Sequence, residues 1–522
     1  MTLMTGSWLL DAVLLLVPLL YWYMTRNFGY WKKLGIPYWK PTPFVGNMGS
    51  VVLGQKHMGE PVLECYHMAG DARFMGMFAF DQPLLMVKDP ALVGRIMSTD
   101  FSTFYATNAK IDPVADPVIG MSLFGQHGPG WKKLRTVLSP AFTSGKIKLM
   151  FHLVNEVGQN LTRLLETEAS KGSAVELKDV MARYTTDVVC SIFMGVNAGS
   201  LEDPNSLLRV NLRDILRENL VGRTITTLLF FAPKLMSFLH IRAGSKKIED
   251  YFVQNTGKLI EHRKEHGIVR NDVVDLLLKI KEDRLSDDED SKEDIANEKA
   301  KAGDKKLKLT NELIAGQLMS FLNAGFDTSS STMSFCLYEL ARNAELQEEV
   351  RQHVRQVLKR HGGQPTYEAL NEMTDLTNVV NEALRMYPPV NFHDREASRD
   401  YKIPGTDIVL PKGTGVIFSV TGLHNDPRYW KEPHRFMPDR FREENSKDRP
   451  SYTFLPFGEG PRLCIGMRVA YLQIKLGLVH ILNNFEVLPA PDTPSSLRYE
   501  PTKFIGTPAG KVALRFRKIP AP

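Results

Sequence analysis

The hydrophobic positions of the chain recur mostly with helical spacing. Apolar residues at three- and four-residue intervals dominate from Trp131 to about residue 280, and again from Thr310 to Ala344 and from Met467 to Ile481. Residues 60–95 mix helical spacing with short strand-like stretches such as Phe74 to Phe80. The pattern therefore predicts a mainly α-helical fold with small β-sheets.

The first apolar run lies at the N-terminus. Residues 3–24 are dominated by Leu, Val, Trp and Tyr, and as a helix they would extend about 33 Å, enough for a bilayer core. Arg26, Lys32 and Lys33 follow, and the positive-inside rule would keep the rest of the chain cytosolic. A cleaved signal peptide is the alternative, but neither a basic start nor a small-residue cleavage site is evident. We expect a retained transmembrane anchor, with Asp11 opposing its insertion by about 2.5–3.5 kcal/mol.

A proline-rich segment follows this run. Residues 30–47 contain Pro37, Pro41 and Pro43, which disfavour helix and stiffen an extended chain. We predict that residues 30–47 form a tether between the anchor and a globular body made of residues 48–522.

Composition and charge narrow the function classes. The 522 residues are 43% hydrophobic and 24% charged, as in an ordinary globular protein. The net charge of +6 is small and dispersed, so it does not indicate nucleic-acid binding. Residues 281–308 concentrate charge and contain few apolar residues, which predicts a mobile surface loop.

Cysteine and glycine usage excludes several kinds of site. Cys65, Cys190, Cys336 and Cys464 show neither zinc spacing nor a disulfide framework, which suits a reducing compartment or the cytosolic side of a membrane. The sequence contains no Gly-x-Gly-x-x-Gly or Walker-type loop. If the protein does redox chemistry, the nicotinamide and the flavin must therefore lie on another protein.

The strongest indication of chemistry is the loop from Phe457 to Gly466. Arg462 precedes Cys464 by two residues, and a helix N-terminus follows; both favour the thiolate, the form of cysteine that binds iron. Phe457 offers a flat apolar face beside the sulfur. The loop satisfies Phe-x-x-Gly-x-Arg-x-Cys-x-Gly at every fixed position, and it resembles the haem-binding loop of the cytochrome P450 superfamily, the haem-thiolate monooxygenases. Alone, the loop is also compatible with a buried structural cysteine in a turn.

The resemblance extends to the middle of the helix predicted from Thr310 to Ala344. A glycine inside a helix costs about 1 kcal/mol relative to alanine. The pair Ala324-Gly325 beside Asp327-Thr328 therefore suits a ligand that presses against the backbone. The stretch resembles the oxygen groove of the family, which implies that Asp327 and Thr328 help to deliver protons to dioxygen. A helix kink with a capped threonine is the alternative.

A buried ion-pair triad is also implied by the resemblance. Glu382 and Arg385 lie at i, i+3 on one predicted helix face, a spacing that is common on surfaces and weak evidence alone. The family pairs such residues with an arginine that matches Arg440, and this triad supports the haem-binding core. Asp439 stands where the family more often has Glu.

Four residues resemble the family's haem-propionate ligands. Trp131 and Arg135 lie one helical turn apart, and Arg462 and Arg395 match further ligands; a guanidinium suits a carboxylate because it can donate two hydrogen bonds. An ordinary amphipathic helix start is the alternative for Trp131 and Arg135.

The resemblance also implies partners and a location. It implies haem b as the cofactor, NADPH electrons delivered by a separate NADPH–cytochrome P450 reductase, cytochrome b5 as a second candidate partner, and contact with membrane lipid. Lys132 and Lys133 would lie where family members dock the reductase, with a solvated basic face as the alternative. The expected location is the cytosolic face of the endoplasmic reticulum membrane.

The activity implied is insertion of one oxygen atom of O2 into small apolar substrates. The stretches Tyr30 to Asn47 and Leu138 to Lys146 most resemble insect microsomal family-6 enzymes, which implies detoxification of insecticides or plant toxins. Three alternatives stay open: a biosynthetic monooxygenase of a hormone or lipid, a haem-thiolate isomerase or dehydratase, and a haem sensor or carrier without turnover. Six phenylalanines, with plain core packing as their alternative, are expected to line the distal pocket: Phe104, Phe124, Phe230, Phe326, Phe392 and Phe504.

Overall fold

The secondary structure is mainly helical with small sheets, as predicted. The structure, a computed structural model, describes residues 8–215, 220–270, 272–290 and 309–520. Its α-helices, α1 to α21 in chain order, are Trp8–Thr25, Tyr30–Lys33, Gly49–Val52, Glu60–Met68, Pro90–Gly94, Pro117–Gly120, Gly128–Leu138, Ser144–Lys171, Leu177–Val189, Leu207–Arg213, Leu220–Phe231, Pro233–Phe238, Lys246–His266, Val273–Asp290, Asn311–Arg342, Ala344–Arg360, Tyr367–Glu372, Thr374–Met386, Val420–Asn425, Glu443–Ser446 and Met467–Asn484. Short π-helical turns lie at Arg95–Thr99 and Cys190–Met194, and 3-10 turns lie at Ser139–Phe142, Pro438–Phe441 and Gly460–Arg462.

Nine strands form three small sheets in the described part of the chain. The strands β1 to β9 are Phe74–Ala79, Gln82–Val87, Val175–Glu176, Phe392–Glu396, Tyr401–Lys402, Val409–Leu410, Gly415–Ser419, Phe485–Pro489 and Ala513–Lys518. The largest sheet has the order β1-β2-β7-β4, in which β2 and β7 are parallel and the other neighbours antiparallel. The others are β3-β9-β8 and β5-β6.

Helix α15 lies at the centre of the larger of two hydrophobic cores. Thr310 caps its N-terminus by accepting a hydrogen bond from the Leu313 N–H at 3.2 Å. The helix packs against α9, α13, α18 and α21, and almost every residue of it is buried except in a short central stretch. The smaller core surrounds the four-stranded sheet. The predicted span from Thr310 to Ala344 is therefore confirmed to within two residues at the C-terminus.

The proline-rich segment 30–47 packs against the four-stranded sheet. The Trp31 indole is fully buried and donates to the Met77 carbonyl at 3.0 Å. The Trp39 N–H donates to Gly76 O at 2.9 Å, and the Gly76 N–H donates to Pro37 O at 2.8 Å. A Cβ at Gly76 would lie 2.4 Å from the Trp31 ring, so the glycine permits this packing. The segment therefore contacts the globular body directly through Trp31, Pro37 and Trp39.

The N-terminal helix α1 runs from Trp8 to Thr25. Among the residues that the structure describes, no helix combines the length and the apolar character needed to cross a membrane. Residues 1–7, which include the start of the predicted anchor, lie outside the described residues.

The prediction of a loop over residues 281–308 is wrong in its first part. Helix α14 spans Val273–Asp290 and so includes residues 281–290. The helix begins with a strongly apolar stretch, residues 273–280, and good helix formers such as Lys, Glu and Leu continue it into the charged stretch. Residues 291–308 lie outside the described residues.

Candidate active site

The backbone of the Phe457–Gly466 loop is folded tightly over Cys464. Gly458 and Gly460 both adopt positive φ, at 74° and 70°, a conformation that favours glycine. A Cβ at Gly460 would lie 2.1 Å from the Met97 carbonyl oxygen. The Cys464 N–H donates to Phe457 O at 2.9 Å, which closes the loop immediately before α21. Gly460, which the motif requires, and Gly458, which stands at a variable position of the motif, therefore shape the loop.

The Cys464 thiol faces an internal cleft. Its side chain is accessible to solvent, but the surrounding protein raises the pKa of the thiol by burial. A thiol that opens onto a space inside the protein has both properties. A hydrogen bond from the Gly466 backbone and the positive charge of Arg135 act in the opposite direction and lower this pKa. The cation that favours the thiolate is thus Arg135, whereas the sequence suggested Arg462. By contrast, Cys65, Cys190 and Cys336 are buried among apolar residues.

Three arginines lie together beside this loop, and we call Arg135, Arg395 and Arg462 the open arginine cluster. Arg135 donates to Leu463 O at 2.9 Å. Arg462 donates to Tyr105 O at 2.7 Å, and its guanidinium lies 4.3 Å from the centroid of the Trp131 ring. Arg395, on β4, donates to its neighbour Asp394 O at 2.7 Å. The structure therefore brings the four predicted propionate ligands into one region.

The open arginine cluster has an excess of positive charge. Burial and the guanidiniums of Arg395 and Arg135 lower the pKa of Arg462 to about 10. Asp394 is the carboxylate that acts on Arg395 and Arg462, but it is itself buried and already accepts hydrogen bonds from the backbone of Asn108 and Ala109. The cluster is therefore short of an anion.

Several buried donors near this cluster also lack a partner among the described residues. They are Nη2 of Arg462, Nε of Arg395 and the protonated ring nitrogen of His127. Neither Nδ1 nor Nε2 of His127 makes a hydrogen bond, whichever of them carries the proton. Buried polar groups are normally hydrogen-bonded, so unsatisfied donors in one place indicate a missing acceptor. The two carboxylates of a haem provide both the negative charge and the acceptors, and the residues present therefore fit this cofactor.

Two histidines that the sequence analysis missed fix the chain just before the cysteine loop. The Leu455 N–H donates to Nε2 of His424 at 2.7 Å, and Leu455 O lies 3.1 Å from Nε2 of His393. Burial lowers the pKa of His424 to about 3 and that of His393 to about 4, so both are neutral at pH 7. No local motif marks them, because the contacts span 31 and 62 residues of sequence.

The predicted ion-pair triad is confirmed. Glu382 and Arg385 are fully buried, and Arg385 donates from Nε and Nη2 to the two Glu382 oxygens, each at 2.8 Å. Arg440 donates to Glu382 Oε1 at 3.2 Å. Carbonyl oxygens, among them those of His424 and Pro433, take further guanidinium donors of Arg385. We call Glu382, Arg385 and Arg440 the structural triad.

The centre of α15 is less buried than the rest of the helix. Ala324 is exposed, although the helix is buried on either side of this stretch. Gln473 of α21 donates to Gly325 O at 3.0 Å and thereby joins α15 to the helix that follows the cysteine loop. A Cβ at Gly325 would lie 2.9 Å from Val189, so this glycine permits close packing of α9 against α15.

Thr328 and Asp327 are held by different partners. The Thr328 hydroxyl donates to Ala324 O at 2.7 Å. The Asp327 carboxylate accepts from the Lys178 ammonium at 2.5 Å, and both side chains are largely buried, with 18% and 16% exposed. The two predicted proton-relay residues are therefore neighbours without a direct hydrogen bond between their side chains. Sequence reasoning did not identify Lys178, which lies 149 residues away.

Four of the six predicted pocket phenylalanines form one aromatic cluster. Phe230 of α11 stacks on Phe504 at 4.7 Å between centroids, and it contacts Phe392 at 5.9 Å and Phe124 at 6.4 Å. We call these four residues the aromatic cluster. Phe104 instead packs on Tyr401, and Phe326 packs against the larger core.

A cavity adjoins the aromatic cluster at Phe504. Residues of four chain segments line it, among them Met58, Thr226, Thr227, Asp327, Phe504 and Ile505. The cavity therefore connects the aromatic cluster with the central stretch of α15.

The two basic residues of α7 differ in their surroundings. Lys132 is exposed and Lys133 is half-buried. Both lie on the helix that carries Trp131 and Arg135.

Comparison with known proteins indicates the same protein family as the residues of the candidate site. The family model described as Cytochrome P450 matches residues 36–516. "Cytochrome P450 6j1" of Blattella germanica is 36% identical over 97% of both chains, and "Cytochrome P450 6k1" of the same organism is 36% identical over 100% of this chain and 99% of its own. "Probable cytochrome P450 6a13" of Drosophila melanogaster is 35% identical over 97% of both chains.

The chain belongs to the cytochrome P450 family. Its fold and relatives define a monooxygenase of the insect family-6 type, with haem b as the cofactor, a small organic substrate, and electrons from NADPH delivered by a reductase. This result removes the haem sensor and the isomerase from the alternatives that the sequence left open.

Proposed function

We propose that this enzyme oxidises small apolar xenobiotics such as insecticides or plant toxins. The observation that carries the proposal is the aromatic cluster with the adjoining cavity. Its side chains favour apolar and aromatic molecules, because such molecules gain by leaving water and by ring contacts. Phe504 of this cluster also lines the adjoining cavity, so an apolar molecule in the cavity would contact the cluster at that ring.

A substrate panel with the reconstituted enzyme and reductase tests this proposal. We expect turnover of several unrelated apolar xenobiotics, and a Phe230→Ala variant should raise KM for aromatic ones by about 5- to 30-fold, since truncating a buried aromatic costs binding energy. Turnover confined to one endogenous hormone or lipid would favour a biosynthetic role instead.

Cys464, Arg135, Arg395, Arg462 and Trp131 would hold the cofactor. Cys464 would bind the iron as a thiolate, and the open arginine cluster would bind the propionates with Trp131 packed against Arg462. Haem, when bound, supplies the iron at which dioxygen is activated. Binding of the iron would require loss of the Cys464 thiol proton, because the thiolate is the form of cysteine that binds a metal. Phe457, whose carbonyl closes the loop and whose ring packs on Tyr471, completes this set.

Thr328 and Asp327 would supply protons during turnover. Thr328 lies on the less buried central stretch of α15, and its hydroxyl donates to the exposed Ala324 through a single carbonyl from which it can turn. A Thr328→Ala variant should slow productive cleavage of the O–O bond by about 10²–10⁴-fold if general acid catalysis is typical. Product and hydrogen peroxide, each measured per NADPH consumed, should therefore shift towards peroxide. Haem content should not change, and an unchanged product yield would contradict the role.

Residues 3–24 would anchor the chain in the endoplasmic reticulum membrane with the body in the cytosol. Apolar and aromatic side chains of α1 are exposed at Leu16, Val17, Leu19, Leu20, Tyr21, Trp22 and Tyr23. Lys32 and Lys33 follow them, which favours a cytosolic body. Protease protection of microsomes tests the orientation; a body shielded from added protease would contradict it.

Lys132 and Lys133 would contribute to the docking surface for the reductase, and cytochrome b5 is a second candidate for the same surface. The exposed Lys132 lies one turn from Arg135, on the helix that borders the cofactor. Lys132→Glu should weaken reductase binding more at low than at high salt, because exposed charges are screened. A loss of affinity that is the same at both salt concentrations would contradict an electrostatic contact.

A further inference from the structure

His57 is a buried histidine outside the set of residues that would hold the cofactor. It lies in the loop between α3 and α4, and only 1% of it is exposed. Its Nδ1 accepts a hydrogen bond from the Gly59 N–H at 3.2 Å, so the ring proton is on Nε2. Nε2 lies 3.1 Å from the Phe504 carbonyl oxygen and therefore donates to it. Burial lowers the pKa of His57 to about 4, in agreement with a neutral ring at pH 7.

The hydrogen bond from His57 joins two segments that line the cavity beside the aromatic cluster. Met58, the next residue in the chain, lines this cavity, and so does Phe504, which is 447 residues away from His57. The Phe504 ring also stacks on Phe230 at 4.7 Å between centroids. Because a side chain follows its own backbone, the bond to the Phe504 carbonyl constrains where the Phe504 ring lies.

The loop that carries Phe504 is fixed at its base by a different contact. The Glu500 N–H donates to Thr507 O at 2.9 Å and closes a short loop with Phe504 near its tip. At the tip, the Phe504 backbone receives its hydrogen bond from His57. Loss of His57 should therefore free the tip of the loop while the base stays in place.

We propose that His57 is a positioning residue for substrate specificity, which holds the Phe504 ring where it contacts planar aromatic substrates. The inference rests on the proposed function, since it takes the aromatic cluster as a surface that substrates contact. A flat aromatic ring can stack on Phe504, whereas a saturated molecule of the same size gains apolar contact alone. Displacing the Phe504 ring should therefore weaken the binding of aromatic molecules more than that of saturated ones.

Naphthalene and its saturated analogue decalin are a matched pair of probes, because they are alike in size and differ in aromaticity. The dissociation constant of each is measured with the full-length, haem-loaded enzyme from the change in its absorption spectrum, and KM and kcat are measured with the reductase. His57→Leu removes both ring nitrogens at similar size. It should raise the dissociation constant and the KM for naphthalene by about 3- to 10-fold, as loss of one aromatic contact does, and should change the values for decalin and kcat by less than about twofold.

Two further substitutions separate the two hydrogen bonds of the His57 ring. His57→Gln keeps an N–H donor at the position of Nε2, so it should restore the dissociation constant for naphthalene to within about twofold of the wild type. His57→Asn keeps an acceptor for the Gly59 N–H at the position of Nδ1 but is too short to reach Phe504 O, so it should resemble His57→Leu. It also replaces His57→Leu in the comparison if that variant does not fold. Equal dissociation constants for the Gln and Asn variants would overturn the inference.

His480→Leu is the matched control for the loss of a hydrogen-bonded histidine. His480 joins α21 to α8 through Asn155 Oδ1 at 2.9 Å, and it lies outside the cavity lining. The variant should lower the midpoint of thermal unfolding and leave the ratio of the two dissociation constants unchanged. If His57→Leu behaved in the same way, His57 would stabilise the fold alone, and that result would overturn the inference.

A double-mutant cycle with Phe504→Leu separates the inference from the proposed function. Because His57 acts through Phe504, the double variant should bind naphthalene no more weakly than Phe504→Leu alone. Additive effects would overturn the inference and leave the role of the aromatic cluster intact. If Phe504→Leu binds both molecules as the wild type does, or if the wild type binds neither, the proposed aromatic contact and the inference are both overturned.

Discussion

The structural triad and the open arginine cluster are both built from buried arginines, but they differ in how those arginines are satisfied. In the triad, Arg385 and Arg440 share the carboxylate of Glu382, and carbonyl oxygens take the remaining donors. In the open cluster, buried donors of Arg395 and Arg462 lack a partner among the described residues.

The difference separates a structural role from a binding role. A fully satisfied network stabilises the chain as it stands, whereas a partly satisfied one is costly until a ligand completes it. The haem propionates are the ligand that the open arginine cluster fits. Variants in the two clusters should therefore affect different measurable quantities.

The largest effect is expected in the structural triad. Arg385→Met leaves the buried Glu382 carboxylate without its two-bond partner and should lower the free energy of unfolding by about 3–5 kcal/mol. Denaturant unfolding of the purified enzyme measures this loss. The yield of folded Arg385→Met protein should also be low. If the variant has the same free energy of unfolding as the wild type, the triad does not stabilise the fold.

In the open cluster the expected effect is on cofactor retention. If Arg462 binds a propionate as proposed, Arg462→Met would remove charged hydrogen bonds worth about 1.5–3 kcal/mol, which corresponds to a haem dissociation rate about 10- to 150-fold faster. Transfer of haem to a scavenging globin measures the rate. Arg468→Met, at an exposed arginine of α21, is the control and should leave the rate unchanged. Equal rates for the two variants would contradict the assignment.

Acid should weaken the support of the cysteine loop through His424. Its pKa falls from the ordinary 6.5 to about 3 in the folded chain, so the unfolded chain binds more protons between these values. The free energy of unfolding therefore decreases as the pH falls from about 6.5 towards 3. At pH 5 the decrease due to this residue is about 2 kcal/mol.

Denaturant unfolding at pH 7 and at pH 5 measures this loss. His424→Gln keeps an acceptor for the Leu455 N–H without a titrating group, so it should lose less stability on acidification than the wild type. Equal losses in the two proteins would exclude His424 as the cause.

The smallest effect is expected beside the structural triad, at Asp439. This residue pairs with Arg442, and the two side chains are 67% and 46% exposed. Asp439→Ala should change the free energy of unfolding by less than about 1 kcal/mol, as is usual for exposed pairs. A loss as large as that of Arg385→Met would show that exposure does not separate the two pairs.

Motifs with local spacing could be predicted from the sequence. The turn around Cys464 depends on glycines that stand next to it, and the span of α15 depends on its own apolar pattern. The partners of the site could not be predicted, because Lys178, His393 and His424 reach it from distant segments and obey no local pattern. For the same reason the role of Gly325 in packing against Val189 became evident only in the structure.

The charged segment shows a different limit of sequence reasoning. Its low apolar content indicated a loop. Residues 281–290 nevertheless continue α14, because residues of high helix propensity can extend a helix that begins with an apolar stretch. Composition predicts whether a segment can form a core, and it does not exclude a helix that extends from one.

The central claim, that Cys464 is the thiolate ligand of a haem held by the open arginine cluster, is tested most directly by spectroscopy. The protein is reduced, exposed to carbon monoxide, and its difference spectrum is recorded for the wild type, Cys464→Ser and the control Cys65→Ser. We predict a thiolate-type spectrum for the wild type and for Cys65→Ser, and its loss in Cys464→Ser. A spectrum of the neutral-imidazole type in fresh, folded wild-type protein would contradict the assignment.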